Sequence, residues 1–303
     1  MTARSPMTEK LPAVLVPVTI TDAVEELCSG PAGAEPIAGG TWVMRAAIRG
    51  AALGPMYVSL AKVPELQMLD VGPPLRIGAC VTHARLAAAL AGLAEFHGLR
   101  AAAGRSANPA IRAVATVGGN LSAAAFPAAD LVPALLALDA EVAVAGPDGI
   151  ARMPVAEFLA RREQLPAGTL VTTVTVARPP ARSAHARLTL RSAGEYPVAI
   201  VSVAHDERDD GTRGGVRIAI GSVESVPRRW GELEAELAAP LHPAAAAEVA
   251  ASLASTLDAR DGVEAPGWYR TRVIPALVRC AVAELTRARD ESAFPDRRRS
   301  KDD

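Results

Sequence analysis

Apolar and polar positions change period several times along the chain, and the changes divide it. Residues 14–17 form a short apolar run. Asp22, Glu25 and Glu26 then fall in what reads as the first turns of a helix capped by Thr21, where acidic groups favour the helix start. A second apolar run at 36–38 leads into Gly39-Gly40-Thr41 and a predicted helix over 43–49, and a third strand follows at 57–60. Strands alternating with helices predict parallel pairing, so residues 11–63 read as a small α/β unit. Residues 64–178 keep a different rhythm. A strand at 75–80 precedes an alanine-rich helix over 83–96, with Leu86, Leu90 and Leu93 at helical spacing. Residues 105–130 show little periodicity and carry a second Gly-Gly, and Asp130 reads as the N-cap of an apolar helix at 131–138. Strands at 141–145 and 150–153 flank the hairpin turn Gly146-Pro147-Asp148-Gly149, and Thr/Val alternation predicts a half-buried strand at 171–176.

Arg178-Pro179-Pro180 breaks the pattern and marks a domain junction. In residues 181–286 three strand-like runs, 186–191, 198–205 and 216–223, are separated by turns such as Asp209-Asp210-Gly211-Thr212. Helices are predicted near 229–237, 243–257 and 267–286, and strands followed by helices make an α+β module. Residues 287–303 are highly charged and read as a disordered tail.

Composition narrows the chemistry. Only 10 of the 303 residues are aromatic, so aliphatic and alanine packing must supply most of the core. Lys+Arg 32 against Asp+Glu 33 gives a net charge of −1, which argues against a dedicated nucleic-acid binder. Cys28, Cys80 and Cys280 lie far apart, so the chain cannot hold a zinc ribbon or an iron–sulfur cluster on its own cysteines. Residues 11–21 read as a strand and not as an export signal, and no stretch reaches the ~20 apolar residues of a membrane helix. A soluble cytoplasmic protein is expected, with no metal site of its own.

Two Gly-Gly turns stand out: Pro36-Ile37-Ala38-Gly39-Gly40-Thr41 and Thr116-Val117-Gly118-Gly119-Asn120. Consecutive glycines permit positive φ and close approach of a ligand, and their successive N–H groups can cradle an anion. Read alone, each is equally a tight turn. The G-x-G-x-x-G and Walker A patterns are absent, as are a G-x-S-x-G elbow and H-x-x-x-H spacing. No catalytic residue is assigned. No base or acid is compelling, and His83 and Glu195 are no more than possibilities.

The order of Gly39-Gly40-Thr41, the strand and turn from Ile77 to His83, Ile111 to Leu121, and Pro127 to Leu135 resembles the FAD-binding (medium) subunits of the molybdenum hydroxylases. These include the flavin subunits of the xanthine and carbon monoxide dehydrogenases. The likeness runs over roughly residues 11–285, to Trp268-Tyr269-Arg270 and Leu277-Val278-Arg279. It implies an α+β chain with a two-subdomain FAD-binding fold of the vanillyl-alcohol-oxidase (PCMH) type, residues 11–63 and 64–178. A C-terminal α+β domain at 181–286, a three-stranded antiparallel sheet plus helices, would follow. It places FAD against Pro36, Ile37, Ala38, Gly39, Gly40, Thr41, Trp42 and Val43, and against Thr116, Val117, Gly118, Gly119 and Asn120. Asp130, Leu170 and Tyr196 are further contacts implied by the match. Trp42 stands where a small or polar residue is usual, and Phe126 falls in an Asn120-to-Asp130 stretch one position longer than usual. The implied function is electron transfer: FAD takes electrons from an iron–sulfur [2Fe-2S] small subunit, fed by a molybdopterin large subunit, and passes them to an external acceptor. The alternatives are a stand-alone FAD oxidase or reductase acting on a small molecule, and a scaffold that has lost its flavin.

Overall fold

The computed structural model describes residues 12–190, 196–207, 213–237 and 241–293. The chain opens with β1 (Ala13–Leu15), α1 (Ile20–Ser29), β2 (Glu35–Ile37) and β3 (Met56–Ser59). The strands form a parallel sheet in the order β1-β3-β2, as the alternation of strand and helix predicts. Thr19 and not Thr21 caps α1: its Oγ1 accepts the Asp22 N–H at 3.0 Å. The helix expected over 43–49 is instead two 3-10 turns, Val43–Arg45 and Ala47–Arg49. Trp42 offers the first of these no side-chain cap, and Gly50 at φ 68° follows the second.

A five-stranded antiparallel sheet follows, begun by β4 (Leu69–Asp70) and β5 (Leu75–Gly78). Five short helices come next: α2 (His83–Ala89), α3 (His97–Arg105), α4 (Pro109–Val114), α5 (Val117–Ser122) and α6 (Leu131–Ala137). The hairpin β6 (Glu141–Gly146) and β7 (Gly149–Pro154), then α7 (Val155–Arg161) and β8 (Leu170–Val176), complete the sheet in the order β4-β5-β8-β6-β7. The single helix expected over 83–96 is broken, because α2 ends at Ala89 and Gly92 at φ 83° turns the chain before α3. Asp130 stands at the start of α6 but does not cap it. Asn120 does so from a distance, its Oδ1 accepting the Leu131 N–H at 3.2 Å.

The remaining strands are β9 (Arg182–Leu188), β10 (Ala199–Glu207), β11 (Arg213–Gly221) and the two-residue β12 (Arg228–Arg229). They pair antiparallel in the order β12-β11-β10-β9, so a short fourth strand joins the three read from the sequence. Helices α8 (Gly231–Glu236), α9 (Pro243–Leu253) and α10 (Gly267–Ala293) follow. Helix α10 continues through residues 287–293, which were expected to be disordered; residues 294–303 and the turn from Asp209 to Thr212 lie outside the described residues.

Val201, Val203, Ile218 and Ile220 bury one face of this sheet against Ile274, Val278 and Val282 of α10. Ala204 and Ala219 on the same strands belong to a second core, with Leu135 of α6, Ile77 of β5 and Val174 of β8. The C-terminal sheet is therefore fixed between two helical layers. One of them, α6, begins at Asp130.

Candidate functional site

Strand β2 delivers the chain into the first glycine pair. Gly40 has φ 67°, a conformation that disfavours any side chain. Gly39 lies so close to the next segment that a Cβ would sit 1.8 Å from the Val114 carbonyl oxygen. Among the described residues, the N–H groups of Gly39, Gly40, Thr41 and Trp42 find no protein acceptor. All four residues line a cavity of about 640 Å³. Consecutive unpaired amides of this kind form an anion cradle.

The second pair behaves differently. Gly118 and Gly119 were expected in a turn with positive φ, but both are helical residues in the first turn of α5. Their amides are already used. Val117 N–H donates to Val81 O (3.0 Å), Gly118 to Ala79 O (2.8 Å) and Asn120 to Thr116 O (2.9 Å). Gly119 donates to Thr116 Oγ1 at 3.2 Å. Thr82 and Thr116, the caps of α2 and α5, also pair as an isolated bridge, which ties the two helix starts together. Gly118 is needed for packing, since a Cβ there would approach Ala79 Cβ to 2.7 Å. The helix start is a buttress.

Residues 36–43 line the larger cavity together with Thr116, Gly119, Asn120, Asp130 and Tyr196. A second cavity of about 430 Å³ takes in Gly118 and Leu170. The two share Glu35, Pro36, Ala38, Gly119 and Ser122, so they meet at the glycine loops. Both volumes fall in the range of about 300–1,000 Å³ usual for small-molecule sites. Of the residues expected at the site, Val117 lines neither cavity; it is buried in the core.

At one side of the larger cavity the aromatic rings stack. Trp42 and Phe126 lie 4.9 Å apart between centroids, and Phe126 meets Tyr196 edge-on, also at 4.9 Å. Arg49 covers Trp42 at 3.8 Å and Arg45 covers Tyr196 at 5.0 Å, so cations close both ends of the stack. Trp42 stands in the cavity wall and leaves the volume open. Asp130 is buried and bound by Arg187, Nε to Oδ1 at 2.8 Å, with His185 Nε2 at 3.6 Å. Burial makes such a partner necessary for a carboxylate. His83 is buried too, its Nδ1 2.7 Å from Ser106 Oγ, and burial pushes its pKa down to about 4. The ring is therefore neutral at pH 7. Glu195 lies outside the described residues. Arg45, Ser106 and Arg162 escape sequence reading because they join the site only through tertiary packing and belong to no local motif. Among the described residues no three or more His, Cys, Asp or Glu side chains are grouped to hold a metal. No helix among them is long and apolar enough to cross a membrane.

The sequence profile of the FAD binding domain in molybdopterin dehydrogenase matches residues 7–179. The chain belongs to this family. Across 91% of its length it is 30% identical to the nicotine 6-hydroxylase medium subunit of Paenarthrobacter nicotinovorans, covering 98% of that protein. It is 27% identical to a putative xanthine dehydrogenase FAD-binding subunit of Escherichia coli K12, over 89% of this chain and 94% of that one. The fold is similar to a chain of CO dehydrogenase from Oligotropha carboxidovorans, with TM-score 0.80 at 24% identity, covering 93% of this chain and 99% of that one. A chain of quinoline 2-oxidoreductase from Pseudomonas putida 86 gives the same TM-score of 0.80 at 21% identity, with the same coverage of 93% and 99%. This family member is thus an FAD-binding component of an oxidoreductase. The cofactor fits what the structure offers: two cavities joined beside a free amide cradle, with glycines where side chains would intrude.

Proposed function

We propose that one FAD lies extended across both cavities. Residues 36–43 would hold the pyrophosphate, the flavin ring would lie toward Tyr196, and the adenosine would lie toward Leu170. The observation that carries this reading is the row of free amides at Gly39, Gly40, Thr41 and Trp42, which line the larger cavity directly after Ala38, a residue both cavities share. In this reading residues 11–63 and 64–178 are the two subdomains of a PCMH-type FAD fold. Residues 181–286 form the C-terminal domain that carries Tyr196. Thr116, Gly119 and Asn120 shape the wall, and Asp130 is fixed by Arg187 so that the wall stays rigid.

The chain would act within a complex. Bound FAD accepts electrons singly and delivers them in pairs, which suits a station between one-electron centres and a two-electron acceptor. A [2Fe-2S] small subunit would supply the electrons, a molybdopterin large subunit would oxidise the substrate, and an external acceptor would be reduced. This division of labour agrees with three dispersed cysteines, Cys28, Cys80 and Cys280, which cannot hold a cluster.

Co-expression with the two partner subunits and anaerobic stopped-flow spectrophotometry test the proposal. The flavin should bleach when the organic substrate meets the complex, and the isolated chain should release FAD, not FMN, on denaturation. Rapid, substrate-specific bleaching by this chain alone would favour an independent oxidase. A folded chain that takes up no flavin would reject the cofactor site.

A further inference from the structure

The second cavity contains a cation, Arg162, that forms no ion pair with a carboxylate among the described residues. Arg162 follows α7 and lines the cavity half-buried. Its Nη1 donates to Leu121 O at 2.7 Å and its Nη2 to Ala124 O at 3.0 Å. These carbonyls lie at the end of α5, where helical carbonyls lack partners of their own. Among the described residues no carboxylate pairs with Arg162; its chain neighbour Glu163 acts on it only through space. Four other half-buried arginines each have a carboxylate, whereas Arg112 shares the arrangement of Arg162, with the Ala107 carbonyl as its partner. Arg187 has Asp130, Arg217 has Asp206, Arg228 has Glu224 and Arg229 has Glu234. Burying a guanidinium is unfavourable unless an anion or a full set of acceptors meets it, and two carbonyls engage only two of its five N–H donors.

We propose that Arg162 is the group by which the second cavity takes a phosphorylated adenosine, and that it thereby selects FAD over FMN. The inference rests on the cofactor reading above. The amides of α5 are spent on Val81, Ala79 and Thr116, so on this side of the glycine loops a phosphate needs another donor. Arg162 supplies it, and its planar fork suits phosphate oxygens. Leu27, Phe158, Leu165 and Leu170 line the same cavity with the apolar surface that a flat base requires.

The test uses the full chain stripped of flavin, with FAD and FMN binding followed by fluorescence and AMP and adenosine as competitors. The wild type should prefer AMP to adenosine by about tenfold or more, the size of one charge-assisted hydrogen bond. In Arg162→Met that preference should vanish and FAD affinity should fall by a similar factor, with FMN affinity changed less than about twofold. Arg162→Lys should restore part of the AMP preference, because it keeps the charge and loses the fork. Equal losses of FAD and FMN would reduce Arg162 to a brace for α5 and overturn the proposal. So would a wild type indifferent to AMP and adenosine, a result that needs no variant to fold. Binding of neither FAD nor FMN by the wild type would reject the cofactor reading and this inference with it.

Discussion

At Gly39 and Gly40 the backbone leaves four successive N–H groups without an acceptor among the described residues, on residues that line a cavity, whereas at Gly118 and Gly119 it gives its amides to neighbouring carbonyls and one hydroxyl. Both segments have paired glycines, and the second even starts a helix, where a positive dipole end is expected. What separates them is the structure behind each. The 79–83 turn and Thr116 back the second pair and absorb its donors, while the first pair leaves an edge strand and packs against Val114 without giving that segment its amides. A helix start binds an anion only if its amides are still free.

The largest test of this contrast is Gly39→Ala. A Cβ 1.8 Å from Val114 O must push the two segments apart. Overpacking of this kind costs about 1–3 kcal/mol or more, and flavin content should fall to near zero. Denaturant melts and the visible spectrum read both effects; a fully flavinated variant would show that the cradle is dispensable.

Behind the second pair, His83 provides a titration. Its folded pKa of about 4 lies below the ordinary 6.5, so only the unfolded chain takes up its proton between these values. Stability is full above pH 6.5 and falls toward pH 4 by up to about 3 kcal/mol. His83→Asn can keep a donor toward Ser106 and should remove this component. Urea midpoints at pH 7 and pH 4.5 for both proteins measure it, and parallel pH dependence in the two would refute it.

Thr116→Val removes the acceptor of the Gly119 amide and should cost about 1 kcal/mol, as lost caps do. Its FAD affinity should fall far less than that of Gly39→Ala, because the buttress would survive one broken bond. Gly119→Ala should matter least to the fold. Its new Cβ meets only Thr116 Oγ1, at 2.9 Å, and helix propensity gained by alanine offsets the crowding to within about 1 kcal/mol. A variant unfolded at room temperature would mean that the second pair is strained after all.

Local pattern made much of this legible. Alternation at 171–176 and the Gly-Pro-Asp-Gly hairpin predict β8, β6 and β7 within a residue or two, because a strand against a core must alternate and a tight turn needs its glycine. The two glycine pairs and Asp130, Leu170 and Tyr196 all reach one of the two cavities. What stayed hidden depends on distant partners. Capping by Asn120 across eleven positions, the capture of Asp130 by Arg187, and the loss of the α5 amides to residues 79–82 leave no trace in local spacing.

The chain has three tryptophans, and they occupy three distinct settings. Trp230 is fully buried in the C-terminal core, Trp268 is 64% exposed, and Trp42 stands in the wall of the larger cavity between Arg49 and Phe126. Excitation energy passes from indole to flavin steeply with proximity, so with FAD placed as proposed above Trp42 would be the native chromophore set beside the cofactor. Cofactor loading should be visible as loss of the Trp42 emission, which Trp42→Phe would remove. The molecule contains its own optical gauge of occupancy, with no label attached.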